Sequence, residues 1–189
     1  MSNRYEMRFA GSGGQGVILA SVIVAEAAVI HGLKTVQSQA YGPEARGGVS
    51  KAETVLSRDQ IWYSKVTRPN FLLALTQASL DKYTKELAEG AIVMIDDSLT
   101  APDYVDPARV IAIPILQTAK EKVGKAFTAN IVAVGAINRA LQLFDDATLM
   151  EGVKRHIPAG TEEINQKALT EGAALISAKQ VKAFAQKIG

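Results

Sequence analysis

The feature that most limits how this chain can fold is Gly11-Ser12-Gly13-Gly14-Gln15-Gly16, set between a short semi-apolar segment at residues 5–10 and the longest apolar run in the sequence. Glycines at this density do not propagate a helix or a strand, and they admit backbone conformations that other residues avoid. The two flanks differ in kind. Residues 5–10 suit a strand. Residues 17–32 are rich in Ala, Val and Ile, have helical length, and end on Gly32, which can close a helix in the left-handed conformation. Strand, glycine turn and helix in that order open an α/β unit. The helix is apolar almost all round, so it needs cover on more than one side.

The rest of the chain continues the alternation. Residues 34–41 resume as a strand, and Gly42-Pro43-Glu44-Ala45-Arg46-Gly47-Gly48 breaks every regular pattern. Residues 50–57 alternate like a half-buried strand, and Ile61-Trp62-Tyr63 reads as a short extension of the same sheet. Only a loop separates residues 34–41 from 50–57, which argues against a strictly parallel sheet and for a mixed one. Buried strands are expected at 71–76, 91–95 and 110–113, with a helix over 79–85 capped by Ser79. After Gly124 the spacing is helical, over 128–144, 147–156, 161–176 and 178–187. Thr161 followed by Glu162 and Glu163 makes a good start for the third of these, because acidic side chains favour the positive helix end. Strands alternating with helices predict an α/β sheet covered on both faces.

Composition narrows function more than fold. A chain of 189 residues with no repeat or linker suits a single domain over 1–189. A net charge of +2 and no Lys/Arg run give no footprint for nucleic acid. With no cysteine there is no disulfide, thiolate-held cluster or Cys nucleophile, and His31 and His156 are the only histidines, so a multi-His metal site within the chain is not expected. The first residues are polar and of both charge signs, and the apolar run at 17–30 is too short to span a bilayer. The expectation is a soluble, cytoplasmic protein.

Two loops are candidates for chemistry. The first is Gly11–Gly16, where free N–H groups at a helix start can hold an anionic phosphate. A dinucleotide site would also want an acid at the end of the second strand to bind the ribose. That region reads Val36-Gln37-Ser38-Gln39. The same glycines also serve a tight strand–helix turn with no ligand, and the residues alone leave both readings open. The second loop is Tyr41–Gly48, where Glu44 and Arg46 sit between a stiff Gly-Pro and a flexible Gly47-Gly48. They could pair with each other, or Arg46 could present its planar fork to a carboxylate or phosphate. Asp96-Asp97 end a buried strand, where ligands of open α/β sheets often lie, although acids also commonly begin the following turn. Asn130 and Asn138 read as helix-surface or contact residues, His31 and His156 as helix C-terminal residues, and Trp62-Tyr63 as apolar anchors in core or interface. No nucleophile–base–orienter set is present.

The two loops, in this order and spacing, resemble the gamma subunit (gamma domain) of the 2-oxoacid:ferredoxin oxidoreductases. That family is similar in having Gly-x-Gly-Gly-Gln-Gly after a strand, an apolar helix, a strand, and then Tyr-Gly-Pro-Glu-x-Arg-Gly-Gly. The resemblance continues through Ser57 to Ile61, Pro69-Asn70-Phe71, Asn130-Ile131-Val132-Ala133-Val134-Gly135, and Asn165 to Gly172. The Gly-Pro-Glu form resembles the 2-oxoglutarate, 2-oxoisovalerate and pyruvate branch, and 2-oxoglutarate is favoured. The resemblance implies a three-layer α/β/α domain with a mixed, mostly parallel sheet. It also implies a chain that is inactive alone, within an enzyme that oxidatively decarboxylates a 2-oxoacid onto coenzyme A. Thiamine diphosphate, magnesium and iron–sulfur clusters are then expected on alpha, beta and ferredoxin-like partner subunits, with ferredoxin or another acceptor downstream. Isolated, the chain could form a homodimer. Coenzyme A phosphate is the expected ligand of Gly11, Ser12, Gly13, Gly14, Gln15 and Gly16. Tyr41, Glu44, Arg46, Gly47 and Gly48 are expected at a subunit interface or the active-site edge. The competing readings are a stand-alone nucleotide-binding enzyme and a purely structural assembly domain.

Overall fold

The computed structural model describes residues 4–40 and 49–186. Its sheet has six strands: β1 (Arg4–Ser12), β2 (Lys34–Ala40), β3 (Val49–Ser57), β4 (Phe71–Ala74), β5 (Ile92–Asp96) and β6 (Val110–Ile113). Their order is β2-β3-β1-β4-β5-β6. β3 runs antiparallel to both β1 and β2, while β4, β5 and β6 extend β1 in parallel. The sheet is therefore mixed and mostly parallel, as the sequence predicts. The inserted β3 separates β2 from β1 by two strand spacings, roughly 10 Å. The end of the second strand, where a dinucleotide site keeps its ribose acid, is thus displaced from the glycine turn.

Helices cover both faces. On one face α1 (Val17–Ile30) and α4 (Ala129–Leu141) pack over the sheet, joined by α5 (Asp146–Lys154), α6 (Glu162–Ala174) and α7 (Ala178–Phe184). Met7, Phe9, Leu56, Phe71 and Met94 meet this helical layer in the main core. On the other face α2 (Gln77–Tyr83) contributes Leu80 and Tyr83 to a smaller core with Ala10, Leu72, Val93 and Ile95. The apolar α1 is covered by the sheet, α4 and α5, which accounts for its lack of a polar side.

α4 and α6 cross with almost no separation. A Cβ on Gly135 would lie 2.2 Å from Leu169 O, and one on Gly172 would lie 2.0 Å from Val132 O. The stretches Asn130–Gly135 and Asn165–Gly172 are therefore the two reciprocal halves of one helix contact. Only glycine lets two helix backbones approach this closely.

Three local expectations differ from the structure. Residues 61–63 form no strand; they belong to an irregular loop at 58–70. α2 is capped by Thr76, with Ser79 at the third helical position closing a reciprocal capping box. A further helical segment follows β6: α3 (Ile115–Gln117), which widens into π-type turns over Thr118–Val123 and stops at the left-handed Gly124. Pro114 and the short length hide it from periodicity.

Candidate functional site

β1 lies where the sheet changes direction. Its following helix, α1, leads away to one side and face, while β4 leads through α2 to the other side and the opposite face. Crevices of this kind, beyond the carboxyl ends of parallel strands, are where open α/β sheets hold ligands. The glycine turn occupies this one. Gly11 and Ser12 are still strand, paired with Ser50 and Val49, so the turn proper begins at Gly13.

Gln15 braces the turn from within. Its Oε1 accepts from Ser12 N at 2.7 Å, and its Nε2 donates to Leu75 O at 3.2 Å, bridging the ends of β1 and β4. The glutamine thus serves the fold. Gly11 makes room for it, since a Cβ there would meet Gln15 Oε1 at 2.6 Å. Gly14 and Gly16 have φ of 87° and 71°, in the left-handed region. Gly16 also carries the side chain of Asn130, whose Nδ2 would be 2.6 Å from an added Cβ and which donates to Gly16 O at 3.4 Å. Gly13 is different. Its φ lies outside the left-handed region, it is exposed, and a Cβ would meet nothing within 4 Å. No contact in the described fold requires a glycine there.

The turn leads into the first N–H groups of α1, which has no side-chain cap and no acid in its first turn. A cleft of about 520 Å³ opens beside it, lined by Ser12, Gly14, Gly16, Val22, Ser50 and His156, among others. His156 comes from the end of α5. Its Nε2 lies 3.4 Å from Glu26 Oε2, and Arg155 Nη1 lies 2.7 Å from Glu26 Oε1. The hydrogen bond from Arg155, aided by His156, holds the Glu26 carboxyl below the usual carboxylate range. A larger cleft of about 600 Å³ between α4, α5 and α6 includes Arg139, Asp146, Gln166 and Thr170 and shares no residue with the glycine turn.

The other candidates resolve individually. Tyr41, Glu44, Arg46, Gly47 and Gly48 lie outside the described residues. Their anchors do not: Ala40 pairs with Lys51, and Val49 pairs with Ser12 beside the turn. Asp96 is buried and structural, with Oδ1 accepting from Ser98 N and Oγ and Oδ2 accepting from Leu116 N at 2.8 Å. Asp97 is exposed. Asn138 is buried, and its amide closes both backbone groups of Phe144. His31 ends α1 and packs edge-on against Phe144. Sequence reasoning missed His156 as a wall of the cleft, because α5 reaches α1 only through tertiary packing. Among the described residues no group of three or more His, Cys, Asp or Glu could hold a metal ion, and no helix is long and apolar enough to cross a membrane.

A glycine turn at the switch point of a mixed α/β sheet, opening onto a cleft at the start of α1, is the class of arrangement this chain presents. The chain belongs to the pyruvate ferredoxin/flavodoxin oxidoreductase family, whose model matches residues 6–175. It is 40% identical over 172 residues to the 2-oxoglutarate synthase subunit KorC of Methanocaldococcus jannaschii, covering 89% of this chain and 92% of that one. The solved gamma subunit of keto/oxoacid ferredoxin oxidoreductase from Geobacter sulfurreducens PCA is 40% identical, with a TM-score of 0.80 over 92% of this chain and 97% of that one. The 2-oxoglutarate:ferredoxin oxidoreductase of Magnetococcus marinus, solved with 2-oxoglutarate, coenzyme A and succinyl-CoA, shares the fold. It has a TM-score of 0.82 at 22% identity, over 98% of this chain and 32% of that one.

Proposed function

We propose that this chain is the gamma-type subunit of a cytoplasmic 2-oxoacid:ferredoxin oxidoreductase, one domain over its whole length, and that the 2-oxoacid is 2-oxoglutarate. The net reaction cleaves the bond between the carboxylate and the carbonyl carbon, releases carbon dioxide, joins the acyl group to the sulfur of coenzyme A, and passes an electron pair to ferredoxin. The substrate assignment is supported by the name of the archaeal relative, and coenzyme A by the ligands of the Magnetococcus enzyme. Thiamine diphosphate supplies the carbanion chemistry when bound, and iron–sulfur clusters carry the electrons. This chain has no cysteine to hold a cluster and no Gly-Asp-Gly thiamine motif, so in this reading both belong to alpha, beta and ferredoxin-like partners.

The chain's own part is to hold the phosphate end of coenzyme A at the glycine turn. The first N–H groups of α1 and the positive end of its dipole face that position. The expected partner of Arg46 is a carboxylate of the thiamine-binding subunit or a coenzyme A phosphate; Ala40 and Val49, the described residues on either side of 41–48, lie at the same end of the sheet as the turn.

Gly13 carries this reading. A glycine that no contact among the described residues requires is, in this reading, kept bare for a ligand. Gly13→Ala in the assembled enzyme should raise the apparent KM for coenzyme A about tenfold or more, the cost of losing a charge-assisted contact. The 2-oxoacid KM and the melting temperature should not move. An unchanged coenzyme A KM would leave the turn a structural feature and favour the assembly-domain reading.

A further inference from the structure

The most exposed large apolar side chain among the described residues is Trp62, the chain's one tryptophan, at 91% exposure. Tyr63 beside it is 58% exposed. A scattered apolar residue on a surface needs no explanation. This pair is different because the backbone beneath it is fixed. Arg4 Nη1 donates to Tyr63 O at 2.7 Å, Nη2 donates to Lys65 O at 3.3 Å, and Nε donates to Glu6 Oε1 at 2.7 Å. At the loop's other end Asn70 N donates to Glu6 O at 2.8 Å, and Glu6 N donates to Asn70 Oδ1 at 2.9 Å. Val66 is buried between these pins. The loop is stitched to β1 from Tyr63 onward while the neighbouring indole stays in water.

The loop at 58–70 is net basic, with Arg58, Lys65 and Arg68 against the single acid Asp59. Lys65 and Arg68 are exposed, and neither pairs with a carboxylate among the described residues. The patch also lies at the opposite end of the sheet from the glycine turn, since residues 58–70 connect Ser57, opposite Arg4, to Phe71 at the start of β4.

We propose that Trp62 and Tyr63 are the anchor by which this chain docks onto another subunit of its oxidoreductase, and that the partner offers an apolar socket rimmed by carboxylates. The inference rests on the subunit reading above. A tryptophan on a pre-ordered loop gives a large contact area without an ordering cost, which is the profile of an interface hot spot. The cations select an acidic partner. A two-fold contact with a second copy would set Lys65 and Arg68 against their own equivalents, which works against the self-association otherwise expected of this pair.

The test uses the full chain, labelled with 5-fluorotryptophan so that its single tryptophan gives a single fluorine resonance, and its unlabelled cognate subunits. On assembly the resonance should shift and become protected from a soluble paramagnetic agent. Trp62→Ala should weaken subunit affinity about thirtyfold or more. The isolated variant's melting temperature should match the wild type, because the indole touches little of its own fold. Lys65→Glu with Arg68→Glu should slow association most at low salt. A resonance that stays solvent-accessible in the complex, or a Trp62→Ala chain that assembles normally, overturns the docking proposal and leaves the subunit reading standing. Concentration-dependent protection in the chain alone overturns it in favour of a second copy. Failure of the wild-type chain to join its cognate subunits overturns the subunit reading and this inference with it.

Discussion

Replacing Gly16 by alanine tests whether the glycine turn is built as described, because two separable costs meet at that atom. The first is conformational. At φ 71° an L-residue sits in the left-handed region, at roughly 1–2 kcal/mol. The second is steric. The new Cβ would lie 2.6 Å from Asn130 Nδ2, so the buried amide must swing away and give up its 3.4 Å bond to Gly16 O. Leaving that group unsatisfied costs about 1–3 kcal/mol. The sum is roughly 2–5 kcal/mol, which for a domain of this length lowers the melting temperature by roughly 4–20 °C. A double-mutant cycle separates the parts. In an Asn130→Ala background the amide is gone and only the tight 3.1 Å approach to the residue 130 Cβ remains, so Gly16→Ala should cost little beyond the conformational share of about 1–2 kcal/mol. Chemical denaturation of the four chains measures each term. A cost below about 1 kcal/mol in the wild-type background, or strict additivity across the cycle, would refute the contact between the turn and α4.

Further predictions concern the supports of the same domain. Gly172→Ala forces a methyl group against the Val132 carbonyl and should cost about 3 kcal/mol or more, read by chemical denaturation, since neither helix backbone can yield without parting the crossing. Arg8 is almost fully buried, donates to Glu53 at 2.8 Å, also pairs with Glu86, and stacks on Tyr83 with its guanidinium 5.0 Å from the ring centre. Arg8→Met leaves the buried Glu53 with only Lys51 Nζ at 3.1 Å, so it should cost somewhat less than the roughly 3–5 kcal/mol of a fully stranded charge, while Arg8→Met with Glu53→Leu should recover most of it. Glu26 titrates below its unfolded range because it accepts from Arg155 and His156. Its stabilising contribution is therefore complete above the unfolded carboxylate pKa and is lost as pH falls through the folded one. Thermal melts across the acid range should show a shallower acid loss in Glu26→Gln than in the wild type, and identical slopes would contradict that pairing.

How much of this was legible beforehand depends on the range over which each signal acts. The glycine turn, the apolar helix after it and the alternation of strands with helices are short-range features, and they follow from spacing and backbone chemistry. So does the mixed sheet, because a loop alone between β2 and β3 cannot carry a parallel crossover. Where one residue type serves two environments, the sequence misleads. Ile61-Trp62-Tyr63 has the composition of a strand, yet its loop is tied to β1 through the Arg4 side chain and Asn70 instead of a strand ladder, and Trp62 stays exposed. Ser79 has the chemistry of a helix cap, yet Thr76 takes that position and Ser79 completes the box.

By itself the sequence determined that a glycine turn follows the first strand, that a helix apolar almost all round needs cover on more than one side, and that a sequence without cysteine holds no thiolate chemistry. Residues adjacent in the chain, or the outright absence of a residue type, are enough for those conclusions. Only the tertiary structure decided what each glycine is for. Gly11 yields to Gln15, Gly16 to Asn130 across 114 positions of chain, and Gly135 and Gly172 to each other's helices, while Gly13 yields to nothing in the described fold. A missing side chain looks the same in every glycine of a sequence, and its reason appears only when the atoms that would collide with it are brought alongside.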